Sequence, residues 1–142
     1  MKIPASVRDL VATGPLAHLT TLNPDGSPQV TVVWLGIDGE ELVIGHMGVW
    51  QKVKNVRRDA RVALSLLGHG RNPMGLREYL VVYGNARITE GGAADLLQRL
   101  ARIYMSPDAV FPPEPIRSRA GYITRIVPER FSGVGPWNAE KK

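Results

Sequence analysis

The sequence predicts a mainly β (α+β) domain in which antiparallel strands close into a small barrel flanked by a few helices. Three observations lead there. Short apolar, β-branched runs recur between turn sequences such as Asn23-Pro24-Asp25-Gly26 and Asp38-Gly39. Turn-linked strands outnumber helical segments, which argues against a doubly wound parallel sheet. The chain has 142 residues, 44% hydrophobic and 22% charged, enough for one modest core but cramped for two.

Ser6, with Asp9 three residues on, reads as a capping box ahead of Val7, Leu10 and Val11, and Gly14 closes this opening helix. Residues 16–22 and 29–35 read as a hairpin across the Asn23–Gly26 turn. Leu42-Val43-Ile44-Gly45-His46 is the next strand, and a basic helix follows from Trp50 to Arg61. At about 100° per residue, Val49, Val53 and Val56 form one apolar stripe, while Gln51, Asn55 and Arg58 fall opposite it with Lys54 alongside. Residues 62–67 read as a strand, 68–75 as a glycine- and proline-rich loop, and 79–88 as a long strand. Residues 93–104 align Leu96, Leu97, Leu100, Ile103 and Tyr104 on one helical face, and the prolines of 107–115 end that helix. Two further strands are expected at 119–127 and 130–134. The expected domain spans residues 1–137, and 138–142 read as a disordered tail.

Composition narrows the function. Without cysteine, disulfides, thiolate metal sites and cysteine nucleophiles are excluded. A net charge of +5 favours an anionic partner. No apolar run approaches a bilayer span and Met1-Lys2-Ile3-Pro4 lacks the apolar core of a secretion signal, so the expectation is a cytoplasmic protein with no membrane partner. His18, His46 and His69 show no metal-ligand spacing, and G-x-S-x-G, G-x-G-x-x-G and Walker motifs are absent. Aromatic residues make up 6% of the chain and do not interleave with the basic ones, so nucleic acid ranks low as a partner.

Two readings of the basic helix stand at this point. Lys52, near the helix start, can meet a phosphate together with free backbone N–H groups, or the whole charged face can be ordinary solvated surface. His46 ends a strand just before this helix and either faces a ligand or is structural. Trp34, Trp50 and Trp137 could each wall a pocket for a flat ring, although a buried tryptophan is core more often.

Leu19-Thr20-Thr21-Leu22, Asp25-Gly26-Ser27-Pro28-Gln29-Val30, the run from Gln51 to Val62, and Gly133-Val134-Gly135-Pro136-Trp137 together resemble the pyridoxamine 5′-phosphate oxidase-like superfamily. Within it, the chain is most similar to the flavin/deazaflavin oxidoreductases that use coenzyme F420. The resemblance implies a split β-barrel of the FMN-binding type that forms a homodimer with cofactor clefts at the interface. It also implies that Lys52 binds the cofactor phosphate, that Asn55 belongs to the same helix motif, and that Gln29 approaches the ring system. Gly45, His46 and Met47 would lie along that ring, and Gln51, Lys54, Arg57 and Arg58 are candidate contacts for the phosphate or an acidic tail. Two positions depart from the pattern: Gln51 stands where relatives often have arginine or serine, and Ala60 replaces a frequent proline. The fuller phosphate-binding set of true pyridoxamine-phosphate oxidases is not evident, which disfavours vitamin B6 oxidation.

The expectation is therefore an F420-dependent oxidoreductase passing hydride between the deazaflavin and an unsaturated or quinone-like small-molecule substrate. F420, with its phosphate and polyglutamate tail, is more anionic than FMN and suits a basic helix. Candidate proton donors are His46 and Tyr79, and Trp137 is the candidate wall of the substrate pocket. The rivals are an FMN-dependent oxidase or reductase on the same fold, a cofactor-binding protein without turnover, and a nucleic-acid-binding module.

Overall fold

The computed structural model describes residues 2–140. Among them, seven strands form one antiparallel sheet: β1 (Ala17–Leu22), β2 (Pro28–Val33), β3 (Gly36–Asp38), β4 (Glu41–His46), β5 (Arg61–Arg71), β6 (Arg77–Glu90) and β7 (Tyr122–Val134). The helices are α1 (Ala5–Ala12), α2 (Gln51–Arg58), α3 (Ala93–Tyr104) and α4 (Trp137–Glu140), with a 3-10 turn at Ile116–Ser118. The strand order is β2-β1-β5-β6-β7-β4-β3.

The two longest strands explain the barrel's split. One half of β6 pairs with β5 and with the C-terminal half of β7, from Tyr79↔Val134 to Tyr83↔Arg130. Its other half runs beside the N-terminal half of β7, which in turn carries β4 on its far edge. A register shift between Tyr83 and Gly84 marks the change from one half to the other. Both halves feed one core. Leu19, Leu64, Leu80 and Val82 meet Leu42, Ile44 and Ile126 there, closed by Val7 and Leu10 of α1 and by Val56 of α2. A second cluster, Val43, Ala93, Leu96, Leu100 and Ile123, lies where α3 packs on β4 and β7. The run Leu42-Val43-Ile44 is thus buried on both faces.

Several expectations are corrected. Residues 68–71 are strand rather than loop, because Asn72 makes the turn: its Oδ1 accepts from the Met74 and Leu76 N–H groups, leaving Arg71 to pair with Arg77. The two final strands are one, because a bulge lets the chain pass Glu129 while both flanks stay paired to β6. α1 is capped by Pro4 rather than Ser6, with no side-chain cap hydrogen bond. At the end of the described residues α4 includes Asn138 to Glu140 of the expected tail, with Trp137 buried and Asn138 Nδ2 donating to the Gly133 carbonyl; residues 141–142 lie outside the described residues. Among the described residues no helix is long and apolar enough to cross a membrane.

Candidate functional site

At the end of β4 the chain leaves the sheet and turns through Met47 and Gly48 into α2, and a cleft of about 450 Å³ opens beside this turn. That size suits a small molecule. One side is Gly45, His46 and Met47, with Trp50 and Lys52 from the start of α2. Val32, Val33 and Trp34, from the end of β2, form a second side with Leu97 of α3. Phe111, Pro112, Pro113 and Ile116, from the segment after α3, form the third. Trp50 is largely exposed but held over the turn: a Cβ on Gly48 would stand 2.9 Å from its ring, so only glycine admits it.

The two titratable groups on the cleft differ in role. Ile44 pairs with Thr124, which puts His46 and Thr124 diagonally across one face. His46 Nε2 lies 2.7 Å from the Thr124 hydroxyl, hydrogen-bonded in a direction set by the ring tautomer. The imidazole is 2% exposed, and burial, aided by the Lys52 charge, pushes its pKa from 6.5 to about 3. His46 is therefore neutral at physiological pH. Lys52 sits half-buried in the first turn of α2, and burial lowers its pKa. Among the described residues no carboxylate forms an ion pair with it. An anion at this end of the cleft would supply the charge that desolvation makes scarce.

The other polar residues of the helix motif meet the β1–β2 hairpin. Asn55, placed on the polar side by helical spacing, is 0% exposed. Its Nδ2 donates to Thr21 Oγ1 and Asn23 Oδ1, both at 3.0 Å, and more weakly to Gln29 Oε1 at 3.4 Å. Its Oδ1 accepts from Gln51 Nε2 at 2.8 Å and from Arg58 at 3.3 Å, while Arg58 also donates to the Leu22 carbonyl. Gln29, Gln51, Asn55 and Arg58 are thus brought together, but as a clamp fastening α2 to the β1–β2 hairpin. None of the four lines the cleft. Spacing within the helix could not show this, because the matching polar groups come from a hairpin some 30 residues earlier. Val49 precedes α2 and is 40% exposed, so the buried stripe narrows to Val53 and Val56. Lys54 is exposed, and the Arg57 guanidinium lies 5.1 Å from the centre of the Tyr122 ring.

Two candidates fall elsewhere. Tyr79 is on the outer face of β6, opposite Leu67 and Val134, and is not among the cleft-lining residues. Trp137 is 2% exposed in the main core and is not among the cleft-lining residues: α4 folds its ring inward against the barrel. The residues that do form the apolar wall, Phe111, Pro112, Pro113 and Ile116, carried a signal read only as a helix stop. An apolar residue beside consecutive prolines in a loop is a surface suited to ring contact.

The fold and cleft can now be set beside known proteins. The family profile described as pyridoxamine 5′-phosphate oxidase matches residues 3–134. The chain belongs to the pyridoxamine 5′-phosphate oxidase family. Among solved structures similar to this family member, an F420 reductase is 29% identical with a TM-score of 0.72, covering 92% of this chain and 98% of its own. A conserved hypothetical protein from Mycobacterium tuberculosis is 25% identical with a TM-score of 0.71, covering 94% of this chain and 84% of its own. HupZ of Group A Streptococcus, at 18% identity and a TM-score of 0.63 over 94% of this chain and 95% of its own, shares the fold. Comparison with curated proteins returns no significant match. The seven-stranded sheet with its flanking helices is the split barrel of this family. Oxidoreductases that bind flavin or deazaflavin are found in it.

Proposed function

We propose that the protein is an F420-dependent reductase acting on an unsaturated or quinone-like small molecule. The observation that carries this is Lys52: a half-buried cation without an ion-pair partner among the described residues, in the first turn of a helix, opening onto a largely apolar cleft. Such a cation suits a phosphate. The 29% identical F420 reductase supports a deazaflavin over FMN, as does the net charge of +5, given the acidic tail of F420.

When bound, a reduced deazaflavin supplies a hydride to the acceptor. The chain's own residues bind and orient. Lys52 would hold the phosphate, with Gly45, Met47 and Trp50 beside the ring system. Neutral His46, tied to Thr124, keeps a fixed polar edge in the cleft and is no reservoir of protons, so solvent is the proton source in this reading. Lys54 and Arg57, outside the cleft, are left for the acidic tail.

A second copy of the chain is part of the same proposal. The register aligns Val32, His18, Ser65 and Val81 across four strands, and next to them Val30, Thr20, Ala63 and Tyr83. Val30 and Val32 are 60% and 55% exposed, and Leu67 and Tyr79 extend the same uncovered face.

Titration of the purified protein with F420 and with FMN, followed by fluorescence, tests the cofactor. F420 is expected to bind the tighter, and Lys52→Ala to weaken it roughly tenfold or more. Unchanged affinity in that variant would refute the phosphate site. Tighter FMN binding would move the protein to the flavin-dependent reading.

A further inference from the structure

We propose that the wall formed by Trp34, Phe111, Pro112 and Pro113 is the acceptor subsite and takes a flat, uncharged aromatic or conjugated ring. This rests on the cofactor reading, since it divides one cleft between a phosphorylated cofactor at Lys52 and the molecule it reduces. Trp34 stacks on Tyr104 with ring centres 5.4 Å apart and planes 11° from parallel, and Phe111 tilts against it at 5.4 Å and 59°. Tyr104 is itself anchored: its hydroxyl donates to the Pro15 carbonyl at 2.8 Å and accepts from the Leu35 N–H at 3.0 Å. The wall is therefore a rigid aromatic surface continued by two prolines. No ionisable side chain belongs to it, and the cleft's single cation is on α2. A charged group pressed against this wall would lose water and gain no partner there, whereas a neutral ring gains stacking and apolar contact.

The wall is also braced from behind. Gln98 of α3 donates from Nε2 to the Ala109 carbonyl at 2.8 Å, and its Oε1 accepts from the Phe111 N–H at 3.2 Å and from Arg117. Arg117 Nε in turn donates to the Pro112 carbonyl at 2.9 Å. Gln98 and Arg117 are thereby positioning residues. They hold Phe111 and Pro112 in place before any ligand arrives, which lowers the ordering cost of binding.

The test uses two fluorescent probes of one skeleton, N-phenyl-1-naphthylamine and its anionic counterpart 1-anilinonaphthalene-8-sulfonate, titrated into the full chain with and without saturating F420. The neutral probe is expected to bind roughly tenfold tighter than the sulfonate, and F420 is expected not to displace it. Phe111→Ala and Gln98→Ala should each weaken the neutral probe by roughly tenfold with the thermal midpoint little changed. Gln98→Glu keeps the acceptor for Phe111 and Arg117 but loses the donor to the Ala109 carbonyl, so it should restore part of the affinity. Equal binding by Phe111→Ala, a preference for the sulfonate, or displacement by F420 would overturn the proposal, the last because the wall would then seat the cofactor's own ring. If F420 fails to bind while the neutral probe still depends on Phe111 and Gln98, the cofactor reading falls and the ring subsite stands.

Discussion

His46 and Asn55 look alike in the sequence, two polar residues flanking one turn, yet burial gives each a different physics. His46 has a folded pKa of about 3 against an ordinary 6.5, so between those values the unfolded chain binds the extra proton. Stability should therefore fall as pH drops from about 6.5 toward 3, with a contribution from this residue approaching one proton in the slope. Chemical denaturation at a series of pH values checks it, and His46→Gln should flatten that part of the profile. Asn55 is saturated by Thr21, Asn23, Gln51 and Arg58 with no access to solvent. Asn55→Ala should cost about 2–3 kcal/mol in urea unfolding, because Thr21 and Asn23 lose their partner inside the protein. An effect confined to cofactor affinity, with stability unchanged, would instead make Asn55 a ligand contact. Nothing in its own helix distinguishes the two outcomes; the partners on β1 and the turn after it do.

Among the elements, the antiparallel pair β6 and β7 carries the architecture. Its C-terminal end closes on Gly133, whose φ is +107° and whose added Cβ would lie 2.2 Å from the Tyr79 carbonyl oxygen. Gly133→Ala forces either that clash or a break in the ladder, and a loss of about 3 kcal/mol in thermal or urea unfolding is expected. α3 was legible to the residue, from Ala93 to Tyr104, because its apolar residues keep helical spacing and glycine precedes it. The stretch from Gly68 to Arg71 was not. Glycine content signals a loop locally, but strand pairing is settled by a partner strand and by where Asn72 places the turn.

At the scale of the whole molecule, the outer sheet face argues for self-association. If the uncovered patch around Val30 and Val32 meets a second copy, the protein should sediment at twice its 15.6 kDa mass, and the double variant Val30→Asp, Val32→Asp should sediment as a monomer. A wild-type monomer at micromolar concentration would remove the dimer from the functional reading. The cleft belongs to this scale too, since β2, β4, α2, α3 and the proline-rich segment all contribute to it.

The amino-acid sequence by itself determined the class of fold, most strand and helix positions, the family, and the basic helix with Lys52 at its start. Those follow from periodicity, turn chemistry and a contiguous motif, all of which are local along the chain. Only the tertiary structure decided that Trp137 is core, that Asn55 and Arg58 clamp a hairpin, that His46 is neutral, and that Phe111 and Pro112 face the same space as Lys52. Burial, desolvation and convergence depend on which distant segments pack together, and no window of sequence contains both sides of those contacts.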